Sequence, residues 1–362
     1  MKLEGQVALI ATQRMRRARR FLSMADCVAF SPNSRARHTI ATTQVRGGFV
    51  AHALAFMRRW AISSIALCLA LAAVPAFAQE LSYKYASVDG INIFYREAGH
   101  PGQPTLLLLH GIPTSSQMFR DLIPRLAGHF HVIAPDFVGM GYSDAPKTDK
   151  FVATQENLTA VMEKFVQQTL NTRVILYMQD LGGPIGMRLA TRHPEWIAGL
   201  IFQNTPISMA GWNPERLKPL LANTGPITED EKLASEHRDL LAAAIFLYKH
   251  GARQPDRVNP DAWAIDAYAL GDPEKKRIIA DYLADARLSF ALYPSWQAYL
   301  RQYKPATLVV WGTQDPVFAE AGVKDIQAAV PSAKVHLYNT GHFALEEDGD
   351  DIAQRIIDTF GR

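Results

Sequence analysis

Residues 174–183 constrain the fold of this chain more than any other stretch. An apolar run ends at the polar pair Gln179-Asp180, and two glycines follow before a helical pattern begins over residues 184–192. This order predicts a strand, a tight turn and a helix, because glycine lets the backbone turn sharply and lets the helix pack closely. Asp180 is then expected at the carboxyl edge of a parallel sheet, where the helix dipole keeps its carboxylate ionised.

Asp180 allows two interpretations when it is considered alone. A side chain at the apex of such a turn is exposed where a substrate can reach it, as a catalytic nucleophile must be. An aspartate in front of a helix is also an ordinary N-cap, which stabilises the helix and has no chemical role. Partners elsewhere in the chain decide between the two.

The amino end differs from the rest of the chain. A short basic start at residues 57–60 precedes an uncharged apolar run at 61–74, and residues 76–78 read Ala-Phe-Ala. These three parts predict a secretory signal peptide over residues 57–78, which is too short to span a membrane. The mature chain is then expected to be periplasmic or secreted, with no stable membrane anchor after cleavage.

Residues 1–56 precede this signal peptide and are rich in arginine. Because signal peptides normally begin at the first residue, we expect translation to start at Met57 and residues 1–56 to be a non-native upstream leader. A genuine basic leader is the alternative. A basic run can also bind nucleic acid, but no aromatic residues interleave this one.

Charge and cysteine content change when residues 1–78 are set aside. They hold 11 of the 38 basic and 2 of the 35 acidic residues, which leaves 27 against 33 and a net charge of −6. A mildly acidic chain is not expected to bind nucleic acid. Both cysteines, Cys27 and Cys68, lie in the removed part, which excludes disulfides and thiolate chemistry from the mature chain. We expect neither a cofactor nor a metal ion.

Strand and helix patterns alternate along the mature chain, with one interruption. Strands are predicted at residues 83–88, 91–95, 105–109, 131–136, 174–180, 201–204, 307–311 and 334–338. Between the sixth and seventh strands the pattern is helical. This predicts an α/β core over residues 79–205 and 291–362, with a helical cap at 206–290 inserted after the sixth strand.

Two further polar residues follow the last two predicted strands. Asp315 comes after the strand at 307–311, and His342 comes after the strand at 334–338. Asp315 alone is also a common turn residue, and His342 alone is also a helix cap. The chain order Asp180, Asp315, His342 is that of nucleophile, acid and base, and it predicts a catalytic triad at three strand ends.

The motifs of this chain resemble those of a known family. They are similar to the haloalkane dehalogenase and epoxide hydrolase branch of the α/β-hydrolases, over essentially all of residues 82–360. The segments that carry the resemblance are residues 110–113, 139–144 and 179–183, Asp315, and residues 341–343. The resemblance implies the α/β-hydrolase fold, with a mostly parallel eight-stranded sheet flanked by helices.

The resemblance also implies a two-step hydrolysis of a small apolar molecule by water. Asp180 attacks an electrophilic carbon and forms a covalent ester, which a water activated by His342 and Asp315 then hydrolyses. The backbone N–H groups of Ile112 and Leu181 would hold the oxyanion. A carboxylate nucleophile excludes a simple esterase, because its attack on an ester would form an anhydride.

The two branch members differ in how they stabilise the leaving group. Dehalogenases usually place a halide-binding tryptophan directly after the nucleophile, where this chain has Leu181, and the residue after Gly111 is Ile112 rather than asparagine. A cap tryptophan would have to substitute for them. The candidates are Trp212, Trp263 and Trp296.

Epoxide hydrolases instead protonate the opening oxide with cap tyrosines. Tyr282 and Tyr293 are preferred over Tyr248 and Tyr268, because they lie where the cap returns to the core, although any cap tyrosine can simply pack its ring. We therefore predict an epoxide hydrolase-like enzyme. A haloalkane dehalogenase and a catalytically weak scaffold used for binding are the alternatives, and the oligomeric state stays open.

The position of the acid also varies within the branch. Some dehalogenases carry it after the strand that precedes the cap. Here that strand ends in Gln203-Asn204, neither of which ionises, so the acid is expected to be Asp315.

Overall fold

The computed structural model describes residues 81–170, 172–222 and 225–361. The predicted leader and signal peptide lie outside these residues, and so both stay predictions, as does the periplasmic or secreted location. In the described ranges no helix is both long and apolar enough to cross a membrane.

The strands of the described chain form a single sheet of eight. Their order across the sheet is β1-β2-β4-β3-β5-β6-β7-β8, and all neighbours from β4 to β8 are parallel, whereas β2 is antiparallel to both β1 and β4. The predicted mostly parallel, eight-stranded sheet is therefore confirmed. The strands are β1 (Ser82–Val88), β2 (Ile91–Ala98), β3 (Thr105–Leu109), β4 (His131–Pro135), β5 (Val174–Gln179), β6 (Ile197–Gln203), β7 (Thr307–Gly312) and β8 (Lys334–Tyr338).

Helices cover both faces of the sheet and fill the connection between β6 and β7. They are α1 (Leu122–Leu126), α2 (Gln155–Thr169), α3 (Gly182–Arg192), α4 (Pro214–Leu221), α5 (Glu229–Glu236), α6 (Leu240–Lys249), α7 (Ala264–Leu270), α8 (Pro273–Asp285), α9 (Tyr293–Tyr303), α10 (Ala321–Ala329) and α11 (Leu345–Phe360).

The central strand β3 divides the apolar core into two layers. Its five residues are all buried, as predicted for a strand covered on both faces. Leu107 and Leu109 pack with α2, α3, α9 and α10 on one face, and Leu106 and Leu108 pack with α1 and α11 on the other. Because the side chains of a strand alternate between faces, one short apolar segment holds both layers together.

Helices α4 to α8 all lie between β6 and β7, where the strand pattern of the sequence lapses. Helix α8 joins this helical region to the core. Lys275 donates to the carbonyl oxygen of Gly141 at 2.6 Å, and Asp285 accepts from the backbone N–H of Gln155 at 2.7 Å. The boundaries of the predicted cap, 206 and 290, stay predictions.

Two predicted elements differ from the structure more than by small shifts at their ends. The helix expected from Met118 is split into a 3-10 turn, Ser116–Phe119, and the separate helix α1. Pro124 explains the break, since its ring would clash with the carbonyl four residues earlier in a continuous helix. Strand β6 begins at Ile197, four residues before the predicted strand. Gly199 interrupts the apolar strand pattern in the sequence, but pairing with β5 keeps the backbone of this segment extended.

Close packing of the turn after β5 should be measurable as stability. A Cβ on Gly182 would overlap the carbonyl oxygen of Leu109, whereas a Cβ on Gly349 would meet nothing within 4 Å. Gly182→Ala is therefore expected to lower the free energy of unfolding by about 1–3 kcal/mol in a urea titration. The matched control Gly349→Ala is expected to raise it by up to about 1 kcal/mol. Equal effects of the two changes would contradict the packing argument.

Candidate active site

The turn between β5 and α3 presents Asp180 at the carboxyl edge of the sheet. Asp180 has a φ of 48°, a left-handed conformation that is strained for residues other than glycine. Thr205 Oγ1 donates to the carbonyl oxygen of Asp180 at 2.9 Å, and a Cβ on Gly183 would overlap that hydroxyl. The strained turn is thus held by a hydrogen bond from the end of the neighbouring strand.

One carboxylate oxygen of Asp180 already lies in the predicted oxyanion hole. The backbone N–H of Ile112 donates to Oδ1 at 2.9 Å, and the backbone N–H of Leu181 also donates to the carboxylate. Gly111 makes this approach possible, since a Cβ there would lie 2.7 Å from the Cβ of Asp180. The other oxygen, Oδ2, faces the imidazole of His342.

His342 lies between the two predicted carboxylates. Its Nε2 is 3.7 Å from Asp180 Oδ2, and its Nδ1 is 2.8 Å from Asp315 Oδ2. Since Asp315 can only accept, Nδ1 carries the hydrogen and Nε2 turns its lone pair towards the nucleophile. The structure therefore brings together all three residues that the chain order predicts as a triad.

Asn204 is a member of this site that sequence reasoning passed over because it cannot ionise. Its Nδ2 donates to Asp315 Oδ2 at 2.8 Å, and its Oδ1 accepts from the backbone N–H of Gly312 at 2.9 Å. The backbone N–H of Val317 donates to Asp315 Oδ1 at 2.7 Å. Asn204 thus orients the acid, and its position at the end of a predicted strand was the available signal.

Gln179, directly before the nucleophile, also contacts the base. This residue is fully buried, and its Nε2 lies 2.9 Å from His342 Nε2. In the sequence this residue is marked only as the end of the strand and as part of the segment 179–183 that carries the family resemblance.

Burial and charge act against each other on the pKa of the base. Burial lowers the pKa of His342, but the charge and hydrogen bond of Asp315, with the charge of Asp180, raise it further, so that it lies above its usual value. The imidazole is therefore unprotonated only at pH values above that raised pKa. A base of this kind loses activity as the pH falls through it.

Opposing influences act on the pKa of Asp180. Burial raises its pKa above the ordinary value, and the charge of His342 and the N–H groups of Ile112 and Leu181 offset this only in part. The sequence-based expectation that the helix dipole keeps this carboxylate ionised stays a prediction.

His110 stabilises the loop that carries Ile112. Its Nδ1 donates to the carbonyl oxygen of Gly111 at 2.7 Å, and its Nε2 accepts from the backbone N–H of Phe137 at 2.9 Å. Burial lowers the pKa of His110 to about 4, so the ring is neutral at pH 7. Both ring nitrogens are engaged with backbone groups, which gives His110 a structural role.

A chain of aromatic contacts leads from the base to one of the predicted tyrosines. The rings of His342 and Phe318 are 5.8 Å apart, and those of Phe318 and Trp212 are 4.8 Å apart. Trp212 Nε1 donates to the hydroxyl oxygen of Tyr293 at 2.8 Å. Trp212 and Tyr293 thus form a hydrogen-bonded pair on the cap side of the triad.

The other aromatic candidates lie in different environments. Tyr282 is buried, and its hydroxyl has no hydrogen-bond partner among the described residues. Tyr248 donates to Asp266 at 3.2 Å, and Tyr268 is 66% exposed. The ring of Trp263 packs 5.6 Å from that of Tyr248, and Trp296 packs under the guanidinium of Arg188. A second chain of ring contacts leads from His342 through Phe343 to Tyr248. The pair of Trp212 and Tyr293 is therefore set apart by its own hydrogen bond rather than by its link to the base.

Within the described ranges, no group of three or more His, Cys, Asp or Glu residues is arranged to hold a metal ion.

Known proteins resemble this chain in both sequence and fold. A family model described as alpha/beta hydrolase fold matches residues 104–349. An uncharacterized hydrolase of Saccharomyces cerevisiae is 36% identical over 281 residues, covering 77% of this chain and 96% of the relative. Haloalkane dehalogenase 1 of Mycobacterium tuberculosis is 30% identical over 271 residues, covering 70% of this chain and 83% of the relative.

Solved structures give the same result for the fold. The haloalkane dehalogenase DatA of Agrobacterium tumefaciens superposes with a TM-score of 0.62 at 22% identity, covering 76% of this chain and 94% of that structure. At this identity the likeness concerns the fold alone.

Removing the charge of Asp315 should reverse the shift in the pKa of His342. In Asp315→Asn the largest remaining influence on the imidazole is burial, so its pKa is expected to fall below the ordinary value of 6.5. An NMR titration of the imidazole nitrogens, assigned by comparison with His342→Gln, measures this directly. An unchanged pKa would contradict the hydrogen bond between Nδ1 and Asp315.

Proposed function

Because the chain belongs to the α/β-hydrolase family, in the branch that includes the haloalkane dehalogenases, we propose that it hydrolyses small apolar epoxides through a covalent ester on Asp180. The observation that carries this proposal is the arrangement of the Asp180 carboxylate. Its Oδ1 accepts from the backbone N–H of Ile112 at 2.9 Å, while its Oδ2 lies 3.7 Å from His342 Nε2. Two chemically equivalent oxygens thus have two different environments.

The first step uses the oxygen that has no backbone donor. Asp180 Oδ2 attacks an epoxide carbon, the carbon–oxygen bond of the ring breaks, and the oxide oxygen takes a proton from a tyrosine hydroxyl. Oδ1 becomes the carbonyl oxygen of the new ester and stays against the N–H of Ile112, with the N–H of Leu181 as the second proposed donor. Holding the nucleophile in this orientation before the substrate arrives lowers the entropic barrier to attack.

The second step uses the base. His342 Nε2 removes a proton from water as the water oxygen attacks the carbonyl carbon of the Asp180 ester. Negative charge develops on Oδ1, to which the N–H of Ile112 already donates, with the N–H of Leu181 as the second proposed donor. Collapse of this intermediate releases the diol, whose new hydroxyl takes the proton from His342, and leaves Asp180 as a carboxylic acid. The proton of this acid returns to the tyrosinate that formed in the first step, which restores both side chains.

Tyr293 supports an epoxide as the substrate because its hydroxyl is arranged as a proton donor. The hydroxyl oxygen accepts from Trp212, so the hydrogen of the hydroxyl points away from that bond. Burial raises the pKa of Tyr293, although the Trp212 hydrogen bond lowers it, and the group stays protonated at neutral pH. An opening oxide needs such a donor, whereas a departing halide leaves as an anion without a proton.

Dehalogenation of small haloalkanes is the second candidate. Its support is the relatives of about 30% identity that are named haloalkane dehalogenases. In that reaction the indole N–H of Trp212 would turn from Tyr293 to the halide, since Leu181 has no side-chain donor. The same Asp180 ester and the same hydrolysis step serve both reactions, so the leaving group alone separates them.

Blocking the second step should trap the ester and identify its origin. In His342→Gln incubated with styrene oxide or 1-bromohexane, mass spectrometry is expected to find an adduct in the peptide that contains Asp180. Ring opening adds the mass of the whole epoxide, whereas dehalogenation adds only the hexyl group. Asp180→Ala/His342→Gln is the control and should carry no adduct. Absence of an adduct with both probes would favour a binding protein over an enzyme.

Two variants of the aromatic pair should separate the leaving groups. Tyr293→Phe is expected to slow diol formation from styrene oxide by about 10²-fold or more, because it removes the proton donor. Trp212→Phe should slow it less, since the tyrosine keeps its hydrogen. If bromide release from 1-bromohexane is instead the main activity and Trp212→Phe abolishes it, the halide assignment is correct. Tyr268→Phe, at an exposed cap position, serves as the unchanged control.

A further inference from the structure

Arg188 is a buried cation on the helix that follows the nucleophile. It lies in α3, and its side chain is 6% exposed. Its Nη1 donates to the carbonyl oxygen of Pro184 at 3.1 Å, one helical turn nearer to Asp180. The guanidinium therefore reaches back along α3 towards the carboxyl edge of the sheet, where the triad lies.

One aromatic ring connects this guanidinium with Tyr293, the proton donor of the proposed reaction. The Cζ atom of Arg188 is 5.8 Å from the centre of the Trp296 ring, which is 5.3 Å from the centre of the Tyr293 ring. Tyr293 and Trp296 both lie on α9, which packs against α3. Burial raises the pKa of Tyr293, and the Trp212 hydrogen bond and the charge of Arg188 act in the opposite direction. The field of the cation therefore extends to the tyrosine hydroxyl.

The carboxylate that pairs with Arg188 lies at the surface. Arg188 Nε is 3.5 Å from Glu156 Oε2, and Glu156 is 59% exposed and also pairs with Arg192. The amide oxygen of Gln155, 3.5 Å from Nη1, carries no charge and already accepts from the hydroxyl of Ser289 at 2.6 Å. Because water screens an exposed carboxylate, this pairing leaves much of the cation's field inside the protein uncompensated.

Arg188 keeps its charge in this environment. Burial lowers the pKa of Arg188, and the charges of Glu156 and Asp285 partly offset this. An arginine side chain nevertheless stays protonated in proteins. Burial of a charge is unfavourable unless other charges or hydrogen bonds stabilise it, so an anion that forms near Arg188 and the cation stabilise each other.

We propose that Arg188 is a positioning residue that acts through Tyr293, its charge stabilising the tyrosinate that is left when this tyrosine protonates the opening oxide. The inference rests on the proposed function, because the tyrosinate forms only in the epoxide reaction. It adds a group from outside the triad, the oxyanion hole and the aromatic pair of Trp212 and Tyr293.

The charge moves between defined atoms in this scheme. When Asp180 Oδ2 attacks the epoxide carbon, the carbon–oxygen bond of the ring breaks and the oxide oxygen takes the proton of the Tyr293 hydroxyl. The negative charge of the carboxylate thereby passes to the tyrosine oxygen, where the indole N–H of Trp212 and the charge of Arg188 stabilise it. After hydrolysis of the ester, the proton on Asp180 returns to this oxygen.

The same helix supplies a matched control. Arg192 lies one turn beyond Arg188 on α3, is 34% exposed, and pairs with Glu156 and Glu163. Arg192→Met therefore removes an equal charge from a position that water screens. Arg188→Lys keeps the charge but loses the planar guanidinium, and so it separates the effect of the charge from that of packing.

The first test uses no substrate. Difluorotyrosine in place of Tyr293 ionises at lower pH than tyrosine, so a fluorine NMR titration measures its pKa in the folded protein. Arg188→Met is expected to raise this pKa, whereas Arg188→Lys and Arg192→Met should leave it nearly as it is. Arg188→Gln is a second uncharged variant, which carries the test if the methionine variant does not fold. A pKa that is the same with and without the charge of Arg188 would overturn the inference whatever the enzyme's substrate.

The second test follows the two steps of the reaction with styrene oxide. In rapid-quench mass spectrometry, Arg188→Met is expected to form the Asp180 adduct roughly 3- to 10-fold more slowly, because the rate of proton transfer follows the acidity of the donor. Adduct loss should change far less, since hydrolysis of the ester uses His342 as the base. In a Tyr293→Phe background, where no tyrosinate forms, Arg188→Met should have no further effect on adduct formation.

Two kinds of result would contradict these expectations. Slowing that persists in the Tyr293→Phe background, or equal slowing in Arg192→Met, would overturn the inference and leave the proposed function intact. The same holds if Arg188→Met forms the adduct at the native rate. Failure of the native protein to form an adduct would overturn the proposed function itself, and the role of Arg188 with it.

Discussion

Burial of the hydrogen bond between His342 and Asp315 is the constraint on which the rest of the site depends. These two side chains are at most 1% exposed, so water contributes almost nothing to satisfying their polar atoms. Removing charged groups from water is favourable only when other groups form hydrogen bonds to them. The donors that do so come from three different strand ends: Asn204 after β6, the N–H of Val317 after β7, and Gln179 at the end of β5. The triad is therefore stable only as part of a fully formed sheet edge.

Much of this arrangement was predictable from the sequence, because the strands are marked by local patterns. The buried strand β3 was predicted with its bounds, and the turn at Asp180 was predicted after β5, although the two glycines that follow it open helix α3 instead of preceding it. Since parallel strands end at one edge of a sheet, the polar residues after them must meet there. The meeting of Asp180, Asp315 and His342 follows from that rule, together with the chain order expected of this fold.

The parts that sequence reasoning missed depend on contacts between strands rather than along them. Asn204 and Gln179 are polar residues at strand ends. Nothing in their local sequence distinguishes an amide that orients a catalytic side chain from one that caps a neighbouring helix. The raised pKa of Asp180 depends on how completely other elements cover it, which no single segment records. Pro124, which explains why the helix expected from Met118 is split in two, was visible in the sequence and was overlooked. The pair of Trp212 and Tyr293 joins positions 81 residues apart, one on each side of the cap helices.

Leu181 connects these observations to the choice of leaving group. A donor side chain directly after the nucleophile would stabilise a departing anion from the same turn that carries the carboxylate. With leucine there, this turn offers no side-chain donor, and the N–H of Ile112 already binds Asp180 Oδ1, the oxygen that would become the ester carbonyl in the proposed reaction. In that reaction the leaving group would be stabilised from the cap side, where the indole of Trp212 holds the hydroxyl oxygen of Tyr293 and leaves its proton to give. A leaving group that needs a proton fits this division of donors better than one that does not.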